Sequence, residues 1–329
     1  MTPLSSSDLL EDEDGVDYVD PGQRRPRRLT DRRLHKPKVD KWTARFSLTE
    51  RPNPERDVHE LILSHGLDVT SEERAYLLEQ LSPFHGAKLI TSVLRRVKGG
   101  KEANVYCCAA HPATGLDLIA AKVYRPREFR NLKNDSQYRQ GRPLLTANGQ
   151  AVSPKDWRLM KAIAGKSRKG LQATQASWVA YEFQTMKRLH DAGADVPRPI
   201  RNSEHAILME YFGDVALAAP TLNLIALEPD EAPALFQRLL RNVELILGQH
   251  VIHGDLSAYN VLYVDGAIKI IDLPQIVDPR TNPDARAIFN RDMERVCQYF
   301  ARFGVQANPR AIAHDYWKRY MTTNGEIHA

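Results

Sequence analysis

The amino-acid sequence predicts an α+β protein of two lobes, a β-rich N-lobe and a short helical C-lobe, behind a disordered N-terminal tail. Three observations predict it. Alternating apolar runs, the period of half-buried strands, gather between residues 89 and 124 and return at 206–212. One amphipathic helical pattern, Trp178 to Leu189, separates them. The chain closes on two more helical patterns, Arg286 to Phe303 and Pro309 to Thr322. Its 329 residues leave room for two lobes and a tail, since domains run to about 100–200 residues. The 42 % hydrophobic and 26 % charged content is that of an ordinary soluble protein.

Asp8, Glu11, Asp12, Glu13, Asp14, Asp17 and Asp20 open the chain without a basic counterpart. The sign then reverses: from Pro21 to Arg45 ten Lys and Arg residues face only Asp31 and Asp40. Neither block has the apolar residues to offset the entropy of ordering it, so residues 1–48 are expected to be disordered. The basic stretch reads either as a solvated tail or as an arm lying on RNA phosphates. Aromatic residues appear only at its end, as Trp42 and Phe46, so base recognition is not indicated. No apolar segment leads the chain, and the longest mostly apolar run, Val215 to Leu227, is too short to span a bilayer and is interrupted by Pro220 and Asn223. A cytoplasmic protein with no membrane partner is the expectation. Cys107, Cys108 and Cys297 give neither an even count nor a C-x-x-C spacing, which argues against a disulfide framework or a zinc site. The adjacent pair reads as small buried residues on opposite faces of a strand. A net charge of +5 allows an anionic partner.

Residues 49–88 read as a short helical preface. Asp57 to Leu63 has helical spacing and ends before Gly66; Thr70 or Ser71 then caps a second helix that runs through Ala75 to Leu81 as far as a break at Pro83. Both are expected to pack on the N-lobe, residues 89–212. There, Leu89 to Val97 leads into Lys98-Gly99-Gly100-Lys101. Two glycines let backbone N–H groups approach a phosphate and Lys101 adds charge, although Gly-Gly is also a common hairpin turn. The strand Asp117 to Tyr124 carries Lys122 in mid-run, where a lysine needs a partner unless it faces solvent on alternate spacing. Glu182 is the candidate partner, at the edge of the apolar helix face of Trp178, Val179, Phe183, Met186 and Leu189.

Between them, residues 125–175 read as a basic insertion broken by Gly141, Pro143, Gly149, Pro154, Gly165 and Gly170, part of it a mobile loop. An acidic protein or RNA is its candidate partner, with a solvated loop as the plain alternative. Ser136, Ser153, Ser167 and Ser177 are candidate self-phosphorylation sites, and nothing ranks them. Ala206 to Gly213 reads as a buried strand ending in a hinge. Met209 would lie behind a planar base, with Glu210 and Phe212 offering main-chain contacts, but any buried strand and turn reads the same locally.

The C-lobe, residues 213–329, carries the densest signal. His253-Gly254-Asp255-Leu256-Ser257-Ala258-Tyr259-Asn260 is followed by two β-rich runs, Val261 to Val264 and Ile268 to Ile271, joined by the tight turn Asp265-Gly266. Such a hairpin puts Asn260 at the start of one strand and Asp272 at the end of the other, at one mouth. An Asp, an Asn four intervening residues later and an Asp closing an apolar β-run are what phosphoryl transfer from Mg-ATP requires. The first Asp accepts the hydroxyl proton; the Asn and the second Asp hold metal. Each residue alone is usually a surface turn, but the set together is not.

The resemblance rests on Gly100-Lys101-Glu102-Ala103-Asn104-Val105-Tyr106, Ala121-Lys122-Val123-Tyr124, Leu208-Met209-Glu210, His253-Gly254-Asp255-Leu256-Ser257, Tyr259-Asn260-Val261-Leu262 and Ile271-Asp272-Leu273-Pro274-Gln275. Through these the chain resembles the RIO family of atypical protein kinases, most closely its bacterial members, from about Leu89 onward. The resemblance implies a two-lobed protein-kinase-like fold and a serine/threonine protein kinase or ATPase that uses ATP with Mg2+, or Mn2+ in its place. It implies Asp255 as catalytic base, Asn260 and Asp272 as metal ligands, and Lys122 on the phosphates paired with Glu182. Gly100, Lys101, Met209, Glu210, Phe212 and Leu262 would surround the nucleotide. In the family the Asp matching Asp272 can itself accept phosphate in an ATPase-like cycle, and the usual peptide-binding segment is absent; no A-P-E motif follows Asp272 here. Eukaryotic and archaeal members are associated with small-subunit ribosome maturation, so a ribosomal or RNA partner for the tail and insertion is the expectation, with the protein substrate unknown. Lys98-Gly99 departs from the Ser or Thr of many relatives, which removes a hydroxyl from the phosphate turn.

Two other readings share part of the pattern. A small-molecule phosphotransferase of the aminoglycoside or choline kinase type has the same H-x-D-x-x-x-x-N and later Asp, but usually an acidic C-terminal extension, whereas this C-lobe is brief and mixed in charge. A nucleotide-binding pseudokinase acting as a ribosome or RNA module would not need every catalytic position filled, as they are here.

Overall fold

The alternating runs pair into a six-stranded sheet in the order β1-β2-β3-β4-β6-β5 in the computed structural model, which describes residues 61–64, 67, 69–100, 102–125, 138 and 140–322. The tail, Lys101, Ser136 and residues 126–137 lie outside the described residues. The strands are β1 (Ile62–Leu63), β2 (Ile90–Lys98), β3 (Ala103–Ala110), β4 (Leu118–Tyr124), β5 (Pro199–Asn202) and β6 (Ala206–Glu210). β1 runs parallel to β2, and every other pairing is antiparallel.

The period of two gives the sheet two apolar faces. On one, Leu77, Leu81 and Phe84 of helix α1 (Ser71–Gly86) pack on Ile90, Val93, Tyr106, Cys108, Ile119, Ala121, Val123 and Leu208. On the other, Ala120, Tyr124, Ile207 and Met209 join the core of the long helix Arg168–Asp191 and the C-lobe. Lys122, midway between Ala120 and Tyr124, therefore points into the cleft side. Cys107 and Cys108 are buried thiols, raised by burial above the ordinary range, as small apolar strand residues should be.

Three expectations need correction. Ile62–Leu63, expected at the end of a helix, is a strand: the short apolar run lies against Ser92 and Val93 and gains more from the sheet edge than from helical spacing. The rest of that expected helix, up to residue 60, lies outside the described residues. Helix α1 does start at an N-cap Thr70, whose hydroxyl accepts the Glu73 N–H at 3.2 Å, but it runs through Pro83 to Gly86. Pro83 falls in the last turn, where its missing N–H forfeits one bond, to the carbonyl of the exposed Glu79.

The third correction concerns the insertion. Helix α2 (Trp157–Ala164) and the first eight residues of α3 (Arg168–Asp191) lie within it. Gly170 is not a breaker but the crossing point: a Cβ there would sit 2.1 Å from the Ala162 carbonyl oxygen, so only glycine lets the two helices approach so closely. Ser167 caps α3 by accepting the Gly170 N–H at 3.2 Å.

Helix α4 (Glu231–Gly248), the hairpin β7 (Val261–Val264) and β8 (Ala267–Ile270), and helices α5 (Ala285–Ala301) and α6 (Pro309–Trp317) build the C-lobe. Asp265 and Gly266, with φ of 48° and 79°, form the expected two-residue turn. Val215, Leu217 and Leu224 of the apolar run are exposed. Among the described residues no helix is long and apolar enough to cross a membrane.

Candidate active site

Strand alternation and one helix turn together bring a lysine and two carboxylates into one cluster at the cleft. Lys122 Nζ donates to Glu182 Oε1 and to Asp272 Oδ1, each at 2.7 Å. The Tyr124 hydroxyl, two residues along the same face of β4, donates to Glu182 Oε2. Burial alone would depress the lysine pKa, but the Asp272 and Glu182 carboxylates outweigh it and hold the ammonium well above its ordinary range. Burial likewise opposes ionisation of Asp272, and Lys122 overrides it, keeping the carboxyl below its usual value. Glu182 lies in the core with a side chain 1 % exposed, not at the edge of its helix face.

The His253 to Asn260 loop is fixed from within and from helix α5. The ring of His253 accepts the Asp255 N–H at Nδ1, 3.3 Å, so its Nε2–H faces the Ile271 carbonyl at 3.1 Å. Burial lowers its pKa and keeps it neutral in this tautomer. Asn260 Nδ2 donates to Asp255 Oδ2 at 2.9 Å and to the Asp255 carbonyl at 3.0 Å. From α5, Asp292 Oδ2 accepts the Gly254 N–H at 2.8 Å, Arg291 donates to the Gly254 carbonyl, and Arg295 donates to Asp255 Oδ1 at 2.6 Å. Gly254 itself has φ 84° and stands where a Cβ would meet the Gln275 carbonyl oxygen at 2.2 Å.

Asp272 also has a left-handed backbone, φ 68°, a conformation that costs energy and concentrates at functional positions. Its Oδ1 is taken by Lys122 and Asn260 Nδ2 by Asp255, which leaves Asp272 Oδ2 and Asn260 Oδ1 as oxygen donors. Two protein oxygens completed by phosphate and water suit Mg2+, which is seldom held by an all-protein cage. Among the described residues no group of three or more His, Cys, Asp and Glu forms such a cage.

The nucleotide-side expectations are placed unevenly. Met209 is 9 % exposed on the cleft face of β6, opposite Ala120. The Glu210 N–H is spent on the Arg198 carbonyl and the Phe212 carbonyl on the Ala219 N–H, and neither bond engages the Glu210 carbonyl or the Phe212 N–H. Leu262 pairs with Lys269 across the hairpin, and the Lys269 ammonium lies 5.4 Å from the Phe212 ring centre. Gly100 N–H donates to Asn104 Oδ1 at 3.3 Å, and a Cβ there would sit 2.7 Å from the Ala103 carbonyl oxygen. Lys101 lies outside the described residues.

Sequence reasoning missed Tyr124, Arg142, Arg291, Asp292 and Arg295. Arg142, from the basic insertion, donates to the carbonyls of Pro274 at 2.8 Å and Ile276 at 2.5 Å, so this part of the insertion grips the segment after Asp272. A signal existed for Asp292: it falls on the apolar stripe of Ile288, Phe289 and Val296, where a carboxylate implies a buried partner. Ser177 is excluded as a modification site, since it is 6 % exposed and its hydroxyl accepts the Leu145 N–H at 2.8 Å. Ser153 and Ser167 are exposed.

Residues 104–312 match the model of the RIO domain. The chain is 30 % identical over 214 residues to the serine/threonine-protein kinase rio2 of Schizosaccharomyces pombe, covering 65 % of this chain and 53 % of that one. It is 31 % identical over 217 residues to the RIO-type serine/threonine-protein kinase Rio1 of Haloferax volcanii, 64 % of each chain. It thus spans about half to just under two thirds of the length of these relatives. Among solved structures, the Rio2 kinase from Chaetomium thermophilum shares the fold with a TM-score of 0.51 and 25 % identity, covering 76 % of this chain and 69 % of that one.

Proposed function

The chain belongs to the RIO family, and from that premise we propose that it is a Mg-ATP-dependent serine/threonine protein kinase that also acts as an ATPase. The observation that carries the reading is the convergence of Lys122, Glu182 and Asp272 beside the Asp255–Asn260 pair. Lys122, held by Glu182, meets the phosphates of ATP; the Phe212 N–H meets the base, with Met209 behind it. Asn260 and Asp272 hold magnesium, which when bound neutralises charge on the β- and γ-phosphates. Asp255 accepts the proton of the attacking hydroxyl as the oxygen bonds to the γ-phosphorus and the β–γ bridging bond breaks, releasing ADP.

Asp272 is itself a candidate phosphate acceptor: its side chain is 39 % exposed and, among the described residues, its Oδ2 has no hydrogen-bond donor. With water completing the cycle, the same centre would then hydrolyse ATP. An anionic partner, ribosomal or RNA, suits the insertion, where the exposed Lys155, Arg158, Lys161, Lys166, Arg168 and Lys169 make no ion pair among the described residues. A cytoplasmic setting accords with three unpaired buried thiols. Titration with ADP tests the nucleotide reading. Binding should strengthen with magnesium in the parent and lose that dependence in Asn260→Ala; magnesium-independent binding in the parent would overturn it.

A further inference from the structure

The loop from Asp255 to Asn260 contains Leu256, Ser257, Ala258 and Tyr259 and no cation, while Lys122 is committed to Glu182 and Asp272. Among the described residues one cation nevertheless touches the Asp255 carboxylate, and it comes from 40 residues downstream: Arg295, whose guanidinium donates to Oδ1 at 2.6 Å. Asn260 Nδ2 holds the other oxygen at 2.9 Å, so the plane of the carboxylate is fixed from both sides. Arg295 lies one helical turn beyond Arg291 and Asp292, which grip the carbonyl and amide of Gly254, and helix spacing puts the three on one side. The platform is anchored in the core, since Met293 and Val296 on the same stretch of helix are 0 % and 2 % exposed.

Resting on the kinase reading above, we infer that Arg295 is a positioning residue for phosphoryl transfer: it orients Asp255 and sets a fixed positive charge beside the transferring phosphoryl group. The ion pair is 42 % and 36 % exposed on its two sides, where such pairs add little to stability. Its effect therefore lies in orientation and charge. During transfer the hydroxyl oxygen bonds to the γ-phosphorus, the β–γ bridging bond breaks and the proton passes to Asp255. The protonated carboxyl then has less hold on the guanidinium, whose charge turns to the group just transferred. A cation in this place supplies what the motif loop lacks.

The test uses the full chain as parent, Arg295→Ala and Arg295→Lys, comparing ATP turnover, ADP affinity by titration and thermal unfolding. The expected result is a fall in kcat on the order of 10- to 100-fold in Arg295→Ala, with ADP affinity and Tm close to the parent's and kcat partly restored in Arg295→Lys. Parent-like kcat in Arg295→Ala, in an active parent, overturns the inference alone. So does a loss of kcat matched by an equal loss of ADP affinity or folding in both variants. A parent without turnover overturns the kinase reading, and the inference with it.

Discussion

Lys122 Nζ stands 2.7 Å from Asp272 Oδ1, although 150 residues separate them in the chain. The contact joins the third antiparallel strand of the N-lobe to the end of the C-lobe hairpin, and the same ammonium reaches Glu182 on α3. One buried charge thus ties three elements, and a nucleotide that enters the cleft meets a lysine already oriented. The tie uses Asp272 Oδ1, so it does not exhaust the carboxylate.

Glu182→Ala is expected to cost about 3–5 kcal/mol, because it removes the carboxylate that accepts from the Tyr124 hydroxyl and leaves the buried Lys122 with one carboxylate, the half-exposed Asp272, instead of two. Denaturant unfolding measures it. Glu182→Gln, which keeps an acceptor, should cost less, and an equal cost would mean that charge rather than hydrogen bonding dominates.

Gly254→Ala should be among the most damaging single changes in the chain. The new Cβ would meet backbone, the Gln275 carbonyl oxygen at 2.2 Å, at a φ of 84° that alanine resists. The expected outcome is loss of more than about 4 kcal/mol or of soluble protein altogether. Gly266→Ala, with φ 79° but nothing within 4 Å, is the control and should cost only the backbone strain.

Asp292 gives a pH signature. Burial, opposed by the Gly254 N–H, raises its pKa from 3.8 to about 7. The folded state therefore holds a proton that the unfolded state has released, a contribution that is full below about pH 4 and is lost as pH rises through about 7. Asp292→Asn stays neutral throughout. Between those limits the parent's unfolding free energy should fall relative to the variant's by on the order of 4 kcal/mol. Parallel pH profiles would contradict a buried carboxyl titrating there.

Ser177→Ala should leave any self-phosphorylation unchanged, while losing about 1 kcal/mol with the bond from the Leu145 N–H. Mass spectrometry of the protein incubated with ATP checks it, and phosphate on Ser177 would require helix α3 to open.

Much of the fold was legible because two periods carry it. The alternation in Leu118–Tyr124 puts Lys122 on the cleft face, and the stripe of Trp178, Met186 and Leu189 turns α3 so that Glu182 meets it. The hairpin after Asn260 followed from its Asp-Gly turn. What failed were places where local signals compete with packing. Ser167 to Gln175 has a polar, basic and glycine-marked sequence, yet it forms the start of α3 because Gly170 admits α2 at close range. Ile62–Leu63 obeys the sheet edge rather than its helical spacing. Arg291 and Arg295 were illegible for a different reason: their partners, Gly254 and Asp255, lie 37 and 40 residues away, and no pattern on an exposed helix face reveals which loop it faces.

The most direct test of phosphoryl chemistry at this centre follows γ-labelled ATP with magnesium in the parent, Asp255→Asn and Asp272→Asn. Both free phosphate and hydroxylamine-labile label on the protein are measured. The account predicts turnover in the parent, its loss in both variants, and labile label that disappears with Asp272. Turnover that survives both substitutions, or none in a parent that binds ATP saturably, would contradict it.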